Sequence, residues 1–403
     1  MDIHNFDKQY QSAIRYLRNK DISDRNKLLI SDFNSALILE NLSKPRLIRY
    51  MHVMSKIAEG LDKDLDKADI SDIKCFISKI QQKSDYSPYT KQMYKIMIRR
   101  FYKWLCGTKD FPEIVSWINI KISKTERPTP TEEDLLTETD IQKLIKSADH
   151  PRDKAFISIL WESGARIGEI GGLSLKNVTI DKYGLVLMLK GKTGSRKIRL
   201  ISSTPYLSTW INNHPYKNNP NSPLWINIGS RNNKQMVRYD SIRFLLRMLF
   251  RKAEVNKRYN PHLFRHSRAT FMANHLTEFQ MNQYFGWIQG SDMPSTYVHM
   301  SGREVDDAIL TMNGIKTEEK KKESQILPRI CVRCDCINAF DSKHCNKCGG
   351  ILDLKYAMEL EQKHEEEIKM RSSTDELMNM LLKDKDVQKL LMEKLISLKT
   401  SAI

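Results

Sequence analysis

Two segments of the chain carry side chains whose types and spacing could act on a phosphate ester. In residues 261–266 (PHLFRH) the leading proline favours a helix start, and His262 and Arg265, three residues apart, then share one helical face. Residues 286–299 are punctuated by glycine and proline and carry Tyr297 near their end, which predicts a loop in which a tyrosine can move and be exposed. Together these side chains could supply a proton acceptor, a fixed cation and a nucleophile.

Further candidates lie upstream of these two segments. Residues 162–170 (ESGARIGEI) contain Arg166 and Glu169, and a later run of β-forming residues closes with KGKTG around Lys192. In this order and spacing, six residues resemble the catalytic set of the tyrosine recombinases, the phage-integrase and Xer-like family, and the resemblance covers roughly residues 20 to 315. The six are Arg166, Lys192, His262, Arg265, Trp287 and Tyr297.

The resemblance implies roles that suit the chemistry of a phosphodiester. Arg166 and Arg265 would hold the phosphate, because a planar guanidinium bonds two oxygens at once and stays charged. Tyr297 would attack the phosphorus, and His262 would accept or relay the tyrosine proton. Lys192 would protonate the departing deoxyribose oxygen, which is otherwise a poor leaving group.

Other interpretations of the same residues stay open. Trp287 could donate one hydrogen bond from its indole but could not exchange protons. Glu169, three residues after Arg166, is expected to orient that region, and the two could simply form an ion pair. Lys192 could be an ordinary turn lysine, and His262 could be a histidine whose hydrogen bonds are satisfied in the core.

The charge of the chain predicts a polyanionic partner. Across 403 residues, 66 Lys and Arg side chains exceed 49 Asp and Glu side chains, for a net charge of +17. From residue 353 onward, nine basic and eleven acidic side chains nearly balance, so the excess lies before that point. Neither an apolar run of about 18 residues nor a signal-peptide core is present in the sequence. We therefore expect a cytoplasmic, nucleoid-associated protein without membrane contact.

The hydrophobic patterns predict a mainly α-helical chain with a small antiparallel β-sheet. Residues 1–110 are predicted to be helical and resemble the core-binding domain that forms one arm of the DNA clamp in tyrosine recombinases. The last helix of this region starts at Ser87 and Pro88 and carries a basic row on one face. The row is either a solvated surface or, as we expect from the charge excess, a set of phosphate contacts. Its members are Lys91, Lys95, Arg99 and Lys103.

A hinge is predicted at residues 111–135, where proline alternates with threonine and glutamate. It joins the helical region to a predicted catalytic domain at residues 136–315, whose first helix begins after the capping residue Thr137. Residues 178–200 alternate β-forming residues with glycine turns, which predicts a small antiparallel sheet with Lys192 in a turn.

A cysteine module is predicted at residues 329–354, after a charged linker at residues 316–328. Two CxxC pairs separated by ten residues favour a tetrahedral thiolate site for a structural Zn²⁺, a zinc ribbon, over disulfides in an intracellular chain. Cys336 and His344 are alternative ligands, and the module could contact DNA or another protein. Residues 355–403 are predicted to be a helical tail whose apolar edge packs on its own domain or, less commonly, pairs between subunits. The predicted ligands are Cys331, Cys334, Cys345 and Cys348.

By resemblance, the chain is expected to be a site-specific recombinase of duplex DNA, either the integrase of a mobile element or a chromosome-dimer resolvase. Tyr297 would form a 3′-phosphotyrosine, so that strand exchange needs neither ATP nor a catalytic metal. A homotetramer on DNA is implied, an accessory protein could take part, and the appended ribbon is more familiar in archaeal-type relatives. The alternatives are a type IB topoisomerase-like enzyme and a catalytically silent DNA-binding protein. Tyr284 is the alternative nucleophile, although its apolar setting beside Phe285 favours packing.

Overall fold

The computed structural model describes residues 2–123, 126, 132–191, 194–229, 234–291, 293–300, 309, 312–313 and 326–400. It confirms the predicted mainly helical fold with a small antiparallel sheet. The first part contains helices α1 Phe6–Arg18, α2 Asp24–Leu39, α3 Lys44–Leu61, α4 Ile70–Gln82, α5 Pro88–Leu105 and α6 Glu113–Ser116. The second part contains α7 Glu138–Ser147, α8 Pro151–Ser163, α9 Ile167–Gly171, β1 Val178–Asp181, β2 Gly184–Gly191, β3 Gly194–Leu200, α10 Thr204–Asn212, α11 Tyr239–Lys252, α12 Pro261–Ala273, α13 Glu278–Phe285 and α14 Met293–Met300. The C-terminal part contains β4 Arg329–Ile330, β5 Ile337–Asn338, α15 Leu354–Lys383 and α16 Lys385–Thr400.

Helices α1 to α6 enclose the first of two large hydrophobic cores. In α5 the Ser87 hydroxyl accepts a hydrogen bond from the Thr90 N–H at 3.2 Å and Pro88 occupies the first turn, as the sequence predicts. This core also contains Val115 and Ile118, which lie beyond residue 110. The domain boundary drawn there stays a prediction. The buried stripe of α5 consists of Tyr94, Met97, Ile98, Phe101 and Tyr102.

The second core is built around α8, which is buried along most of its length and packs against α7, α10 and α12. Helix α7 starts with a reciprocal cap. The Thr137 hydroxyl accepts from the Asp140 N–H at 3.2 Å, and the Asp140 carboxylate accepts from the Thr137 N–H at 2.9 Å. Helix α8 ends at Gly164, whose left-handed backbone (φ +52°) turns the chain toward Arg166.

The three-stranded sheet is antiparallel in the order β1-β2-β3. Leu185 of β2 lies opposite Leu200 of β3, and both are fully buried in the second core. At the other end of β2 and β3, Gly191 pairs with Gly194. Lys192, predicted to lie in a turn, lies outside the described residues. Strand β3 contacts α13, so the sheet reaches the helices that carry the candidate site.

The N-terminal residues pack against the second core rather than the first. Ile3 is 2 % exposed, and its side chain fills the space above Gly171, where a Cβ would lie 2.8 Å from it. The Ile3 carbonyl accepts a hydrogen bond from the Tyr239 N–H at 3.1 Å, and the His4 ring lies 4.6 Å from the Tyr239 ring. These contacts attach the start of the first part to α11.

The cysteine module also packs against the second core. Ile326 and Ala339 are buried within it, and Asp341 accepts a hydrogen bond from the Tyr206 hydroxyl of α10 at 2.9 Å. The module is therefore docked on the side of the second part that carries α10.

The C-terminal helices differ from the expectation that their apolar edge packs on its own domain. None of the residues described in α15 is buried, and Leu391, Leu395 and Leu398 of α16 are 45 %, 58 % and 61 % exposed. Helix α15 is about 45 Å long at 1.5 Å per residue. Among the described residues, no helix combines the length and hydropathy of a membrane span.

Candidate active site

Arg166 lies in the sharp connection between α8 and α9. The connection requires glycine at position 164, because a Cβ there would lie 2.7 Å from the Phe285 ring. Arg166 then begins α9, and its N–H and guanidinium donate to the two carboxylate oxygens of Glu169, at 3.0 and 3.2 Å. Its side chain is still 34 % exposed, so part of the guanidinium edge faces solvent and could meet an anion.

Glu169 forms the centre of a buried ion cluster that the sequence did not reveal in full. Arg196 of β3 donates to both Glu169 oxygens, at 3.0 and 2.8 Å, and its Nε donates to the Tyr284 carbonyl at 2.9 Å. Burial would raise the pKa of Glu169, but hydrogen bonds and charge from Arg196, and then from Arg166, outweigh burial and lower it. Glu169 therefore stays ionised and orients Arg166. In the sequence, strand alternation predicts on which face of β3 Arg196 lies. Nothing there indicates that its partner is Glu169.

Arg265 is buried at the junction of three elements. It is 6 % exposed, and its guanidinium donates to the carbonyls of Gly164 at 3.0 Å and Phe285 at 2.9 Å. Burial and the nearby charge of Arg166 lower the pKa of Arg265 to about 10. The group is still charged at neutral pH, so two guanidinium groups adjoin the end of α8.

Tyr297 lies on helix α14 and is buried, so the expectation of an exposed loop tyrosine is wrong. It is 2 % exposed, and its ring stacks on Trp287 with centroids 5.4 Å apart and planes 3° apart. Trp287 stacks in turn on Phe285. The sequence suggested a loop because Gly290 and Pro294 lie nearby, but Pro294 occupies the first turn of α14, where proline is compatible with a helix.

Of the two histidines on α12, His266 contacts the tyrosine. The Tyr297 hydroxyl lies 2.6 Å from Nδ1 of His266, a residue that the sequence reasoning did not select. His262, the predicted proton acceptor, is exposed in the first turn. Burial of part of its ring and the charges of Arg265 and Arg166 lower the pKa of His262. The sequence does contain a pattern that points to His266, because residues four apart, such as His262 and His266, share a helical face.

Lys192, the remaining predicted catalytic residue, lies outside the described residues. The Tyr284 hydroxyl donates to the Glu162 carbonyl at 2.9 Å, which favours the packed role expected of this residue. Burial raises the pKa of Tyr284.

The predicted DNA-contacting row on α5 is partly used within its own domain. The Lys91 ammonium donates to the Gln81 carbonyl at 2.7 Å. The Arg99 guanidinium lies 3.8 Å from the centre of the Phe111 ring, and the Lys103 ammonium lies 5.4 Å from it. Lys95 is half-buried. DNA contact by this row stays a prediction.

The four predicted metal ligands converge in the cysteine module. Their sulfur atoms lie within 4.8 Å of one another, with Cys331 to Cys348 and Cys334 to Cys345 both at 3.6 Å. A tetrahedral zinc with Zn–S bonds of about 2.3 Å requires S···S separations of about 3.8 Å, so the donor set fits this ion. Cys336 lies outside this group, which leaves four cysteines and no open position for a substrate.

The candidate site, called the pocket below, combines two arginines with a phenol and two imidazoles. Its residues are Arg166, His262, Arg265, His266, Trp287 and Tyr297. Its residues fall within residues 134–304, and this segment matches the phage integrase family. This segment is an integrase-family domain. The match therefore covers the elements that position the pocket, from α7 to α14.

The chain is also similar to individual tyrosine recombinases. It is 25 % identical over 298 residues to tyrosine recombinase XerA of Pyrococcus horikoshii, covering 72 % of this chain and 96 % of the relative. It is 25 % identical over 287 residues to tyrosine recombinase XerD of Yersinia pestis, covering 67 % and 91 %.

Solved structures show the same fold around the integrase-family domain. The XerH site-specific recombinase bound to palindromic difH substrate, a post-cleavage complex, matches with a TM-score of 0.53 and 17 % identity, covering 77 % of this chain and 97 % of the other. A lambda integrase dimer bound to a COC′ core site matches with a TM-score of 0.52 and 14 % identity, covering 68 % and 77 %.

Proposed function

We propose that the chain is a site-specific tyrosine recombinase that cuts and rejoins duplex DNA. The observation that carries this proposal is the grouping of two arginines with the candidate nucleophile in an integrase-family domain. Arg166 and Arg265 donate to the adjacent carbonyls of Gly286 and Phe285, at 3.5 and 2.9 Å. Arg265 also lies 5.3 Å from the centre of the Trp287 ring, which stacks on Tyr297. The relatives are named tyrosine recombinases, and the XerH and lambda integrase structures contain DNA substrate or core site. A net charge of +17 favours the same class of partner.

The pocket supplies what attack on a phosphodiester requires. Arg166 and Arg265 would bind the non-bridging oxygens and stabilise the negative charge that grows as the nucleophile adds. Tyr297 would form the bond to phosphorus and leave a 3′-phosphotyrosine, while the 5′-oxygen departs with a proton from Lys192. Because the phosphotyrosine keeps an ester bond, rejoining needs neither ATP nor a metal in the pocket. The cysteine module would hold a structural Zn²⁺.

We further propose that strand exchange takes place in a homotetramer on DNA. A lambda integrase tetramer bound to a Holliday junction has the same fold, with a TM-score of 0.52 and 14 % identity. In such an assembly residues 1–110 would form the second arm around the duplex, with the α5 row facing phosphates.

A nicked suicide duplex tests the proposed chemistry. Loss of the short 5′-hydroxyl fragment prevents rejoining, so the wild-type chain should accumulate a covalent adduct that denaturing electrophoresis detects. Tyr297→Phe should lower adduct formation by a factor on the order of 10³ or more, because no nucleophile remains. The matched control is Tyr284→Phe, which removes a hydroxyl that donates to the Glu162 carbonyl and should retain the adduct. Adduct formation by Tyr297→Phe would contradict the assignment.

A second substrate separates recombination from topoisomerase activity. Two duplexes of different length that carry the same binding site, mapped first by protection of purified genomic DNA, should yield exchanged products. Relaxation of supercoiled DNA without exchanged products would favour the topoisomerase alternative. Binding of DNA without any covalent adduct would favour a catalytically silent DNA-binding protein.

A further inference from the structure

Three arginines from three separate elements donate to consecutive carbonyls at the C-terminal end of α13. The last carbonyls of a helix receive no N–H from their own helix, and they form the negative end of its dipole. The end of α13 therefore gathers three guanidinium groups, of which the sequence indicated two. The pairs are Arg196 with the Tyr284 carbonyl at 2.9 Å, Arg265 with the Phe285 carbonyl at 2.9 Å, and Arg166 with the Gly286 carbonyl at 3.5 Å.

Arg196 is the main partner of the Glu169 carboxylate. Its guanidinium donates to both carboxylate oxygens, at 3.0 and 2.8 Å, whereas the guanidinium of Arg166 donates to one of them at 3.2 Å. The Glu169 and Arg196 side chains are 4 % and 10 % exposed, and that of Arg166 is 34 % exposed. A buried pair with two short bonds is stronger than a single longer bond at a partly exposed site. The charge of Glu169 is therefore balanced mainly by Arg196.

Two glycines lie against this buried ion pair and keep it in place. A Cβ on Gly191 of β2 would lie 2.3 Å from Oε1 of Glu169. A Cβ on Gly286 would lie 2.7 Å from Nη1 of Arg196. Because backbone packs this closely around it, the guanidinium of Arg196 has little contact with solvent. Arg196 is therefore in a different position from Arg166, whose exposed edge could meet a phosphate.

We propose that Arg196 is a positioning residue, which balances the charge of Glu169 so that Arg166 keeps its positive charge for the DNA phosphate. The inference rests on the proposed function and adds a residue to it. Three guanidinium groups and one carboxylate carry a net charge of plus two at this end of α13. Without Arg196 the sum would fall to plus one, and Arg166 would be drawn to the buried carboxylate.

This loss of charge should act on the rate of reaction more than on the binding of DNA. A phosphodiester is already anionic and becomes more so as the nucleophile adds, so fixed positive charge stabilises the transition state more than the bound substrate. The duplex as a whole is held by many contacts, and the buried Arg196 adds none of its own. A defect in the rate with little change in affinity is therefore the expected signature.

A matched pair of variants of the full-length protein tests this role. In Arg196→Gln the single-turnover rate of adduct formation on saturating suicide duplex should fall about 10²-fold, the usual effect of misplacing a group in the site. The affinity for the duplex should change by less than about twofold. Arg199→Gln is the control, because Arg199 lies on the same strand and holds Asp181 with two bonds at 2.6 and 2.7 Å, but at an exposed site. Its rate should stay within about twofold of wild type.

A double variant distinguishes charge balance from a purely structural role. Glu169→Gln combined with Arg196→Gln removes one negative and one positive charge, which restores the net charge and releases Arg166 from the carboxylate. The double variant should form adduct at least about tenfold faster than Arg196→Gln alone. If Arg196 served only to pack the domain, removing its partner as well would not raise the rate. All rates are compared at a temperature at which melting curves show each variant to be folded, so that differences in stability do not enter.

The possible results separate this inference from the proposed function. A rate for Arg196→Gln equal to that of Arg199→Gln, or a double variant no faster than Arg196→Gln, would overturn the inference. If Arg196→Gln does not fold, the double variant decides, because it leaves no charge of this pair buried alone. A rate within about tenfold of wild type would then support the inference, and a slower rate would overturn it. Absence of any adduct with the wild-type chain would instead overturn the proposed function, and this inference with it.

Discussion

The pocket of the integrase-family domain and the cysteine module fix reactive groups by different physical means. In the pocket, the Arg265 guanidinium is held by the carbonyls of Gly164 and Phe285, and the Glu169 carboxylate is held by Arg196. These atoms belong to α8, α13 and β3, which are already packed in the second core or against it. The pocket geometry is therefore a product of folding.

In the cysteine module the reactive thiols lie close together, although the module has few buried apolar side chains of its own. Four sulfur atoms lie within 4.8 Å of one another. Ala339 of the module, like Ile326 just before it, is buried in the core of the neighbouring domain. Thiolates at such distances repel one another unless a cation binds between them. The comparison shows that one chain can position charges through a packed core in one region and through a bound ion in another.

Metal removal should produce the largest effect, and it should be confined to the module. Structural zinc contributes about 10–16 kcal/mol to comparable small modules, so chelation should unfold residues 329–354 and expose them to proteolysis. The pocket should persist, with the adduct rate within about threefold of its starting value. Measured metal content, limited proteolysis and adduct rate check this. Cys336→Ser, outside the sulfur cluster, is the control and should retain the metal. Loss of the adduct together with the metal would contradict the separation.

Glu169→Gln should destabilise the integrase-family domain and leave the cysteine module intact. Glu169 is buried between Arg196 and Arg166, and removing one partner of a buried ion pair costs about 3–5 kcal/mol. Urea denaturation of the second part should report this loss, while metal content stays unchanged. Asp181→Asn is the matched control, because it removes the exposed partner of Arg199 and should change little.

The stability lost in Glu169→Gln should depend on pH with a definite sign. The pKa of Glu169 is below its ordinary value of 4.5, so the folded protein gains stability from the carboxylate above that pH. The difference in unfolding free energy between wild type and Glu169→Gln should be constant near neutrality. It should shrink as the pH falls below about 4.5 and the carboxylate is protonated. A difference that grows on acidification would show that the carboxylate is not held ionised by its arginines.

Gly286→Ala should have a smaller effect on the same ion cluster. Gly286 has φ +62°, and a Cβ on it would lie 2.7 Å from Nη1 of Arg196. Gly290, with φ +77° and no atom near its Cβ position, is the matched control. Both alanine variants should lose about 1 kcal/mol from the left-handed backbone. Only Gly286→Ala should lose about a further 1–3 kcal/mol of stability from crowding against Arg196. Its rate of adduct formation should also fall. Equal melting temperatures for the two variants would show that Arg196 moves aside at no cost.

Tyr206→Phe should have the smallest effect, at the contact that joins the two regions. It removes the hydrogen bond to Asp341 and should cost about 0.5–1.5 kcal/mol of module docking. Faster proteolysis of the module with an unchanged adduct rate is the expected result. Slower adduct formation would show that the docked module supports the pocket.

Local patterns in the sequence were sufficient for the elements and for much of the site. The cap of α5 at Ser87, the reciprocal cap of α7 at Thr137 and the paired CxxC spacing all depend on residues within a few positions of one another. The antiparallel pairing of β2 with β3 follows in the same way from alternating β-forming residues and nearby glycines. The order of the catalytic motifs, a property of the sequence alone, was enough to indicate the family.

The tertiary structure decided which groups touch. Tyr297 was expected on an exposed loop and lies buried against Trp287, and its partner His266 is 31 positions away. Arg196 joins Glu169 across 27 positions and was not foreseen. Capping and periodicity act between near neighbours and can therefore be read along the chain. A hydrogen bond between distant elements depends on how those elements pack, and packing is a property of the whole core.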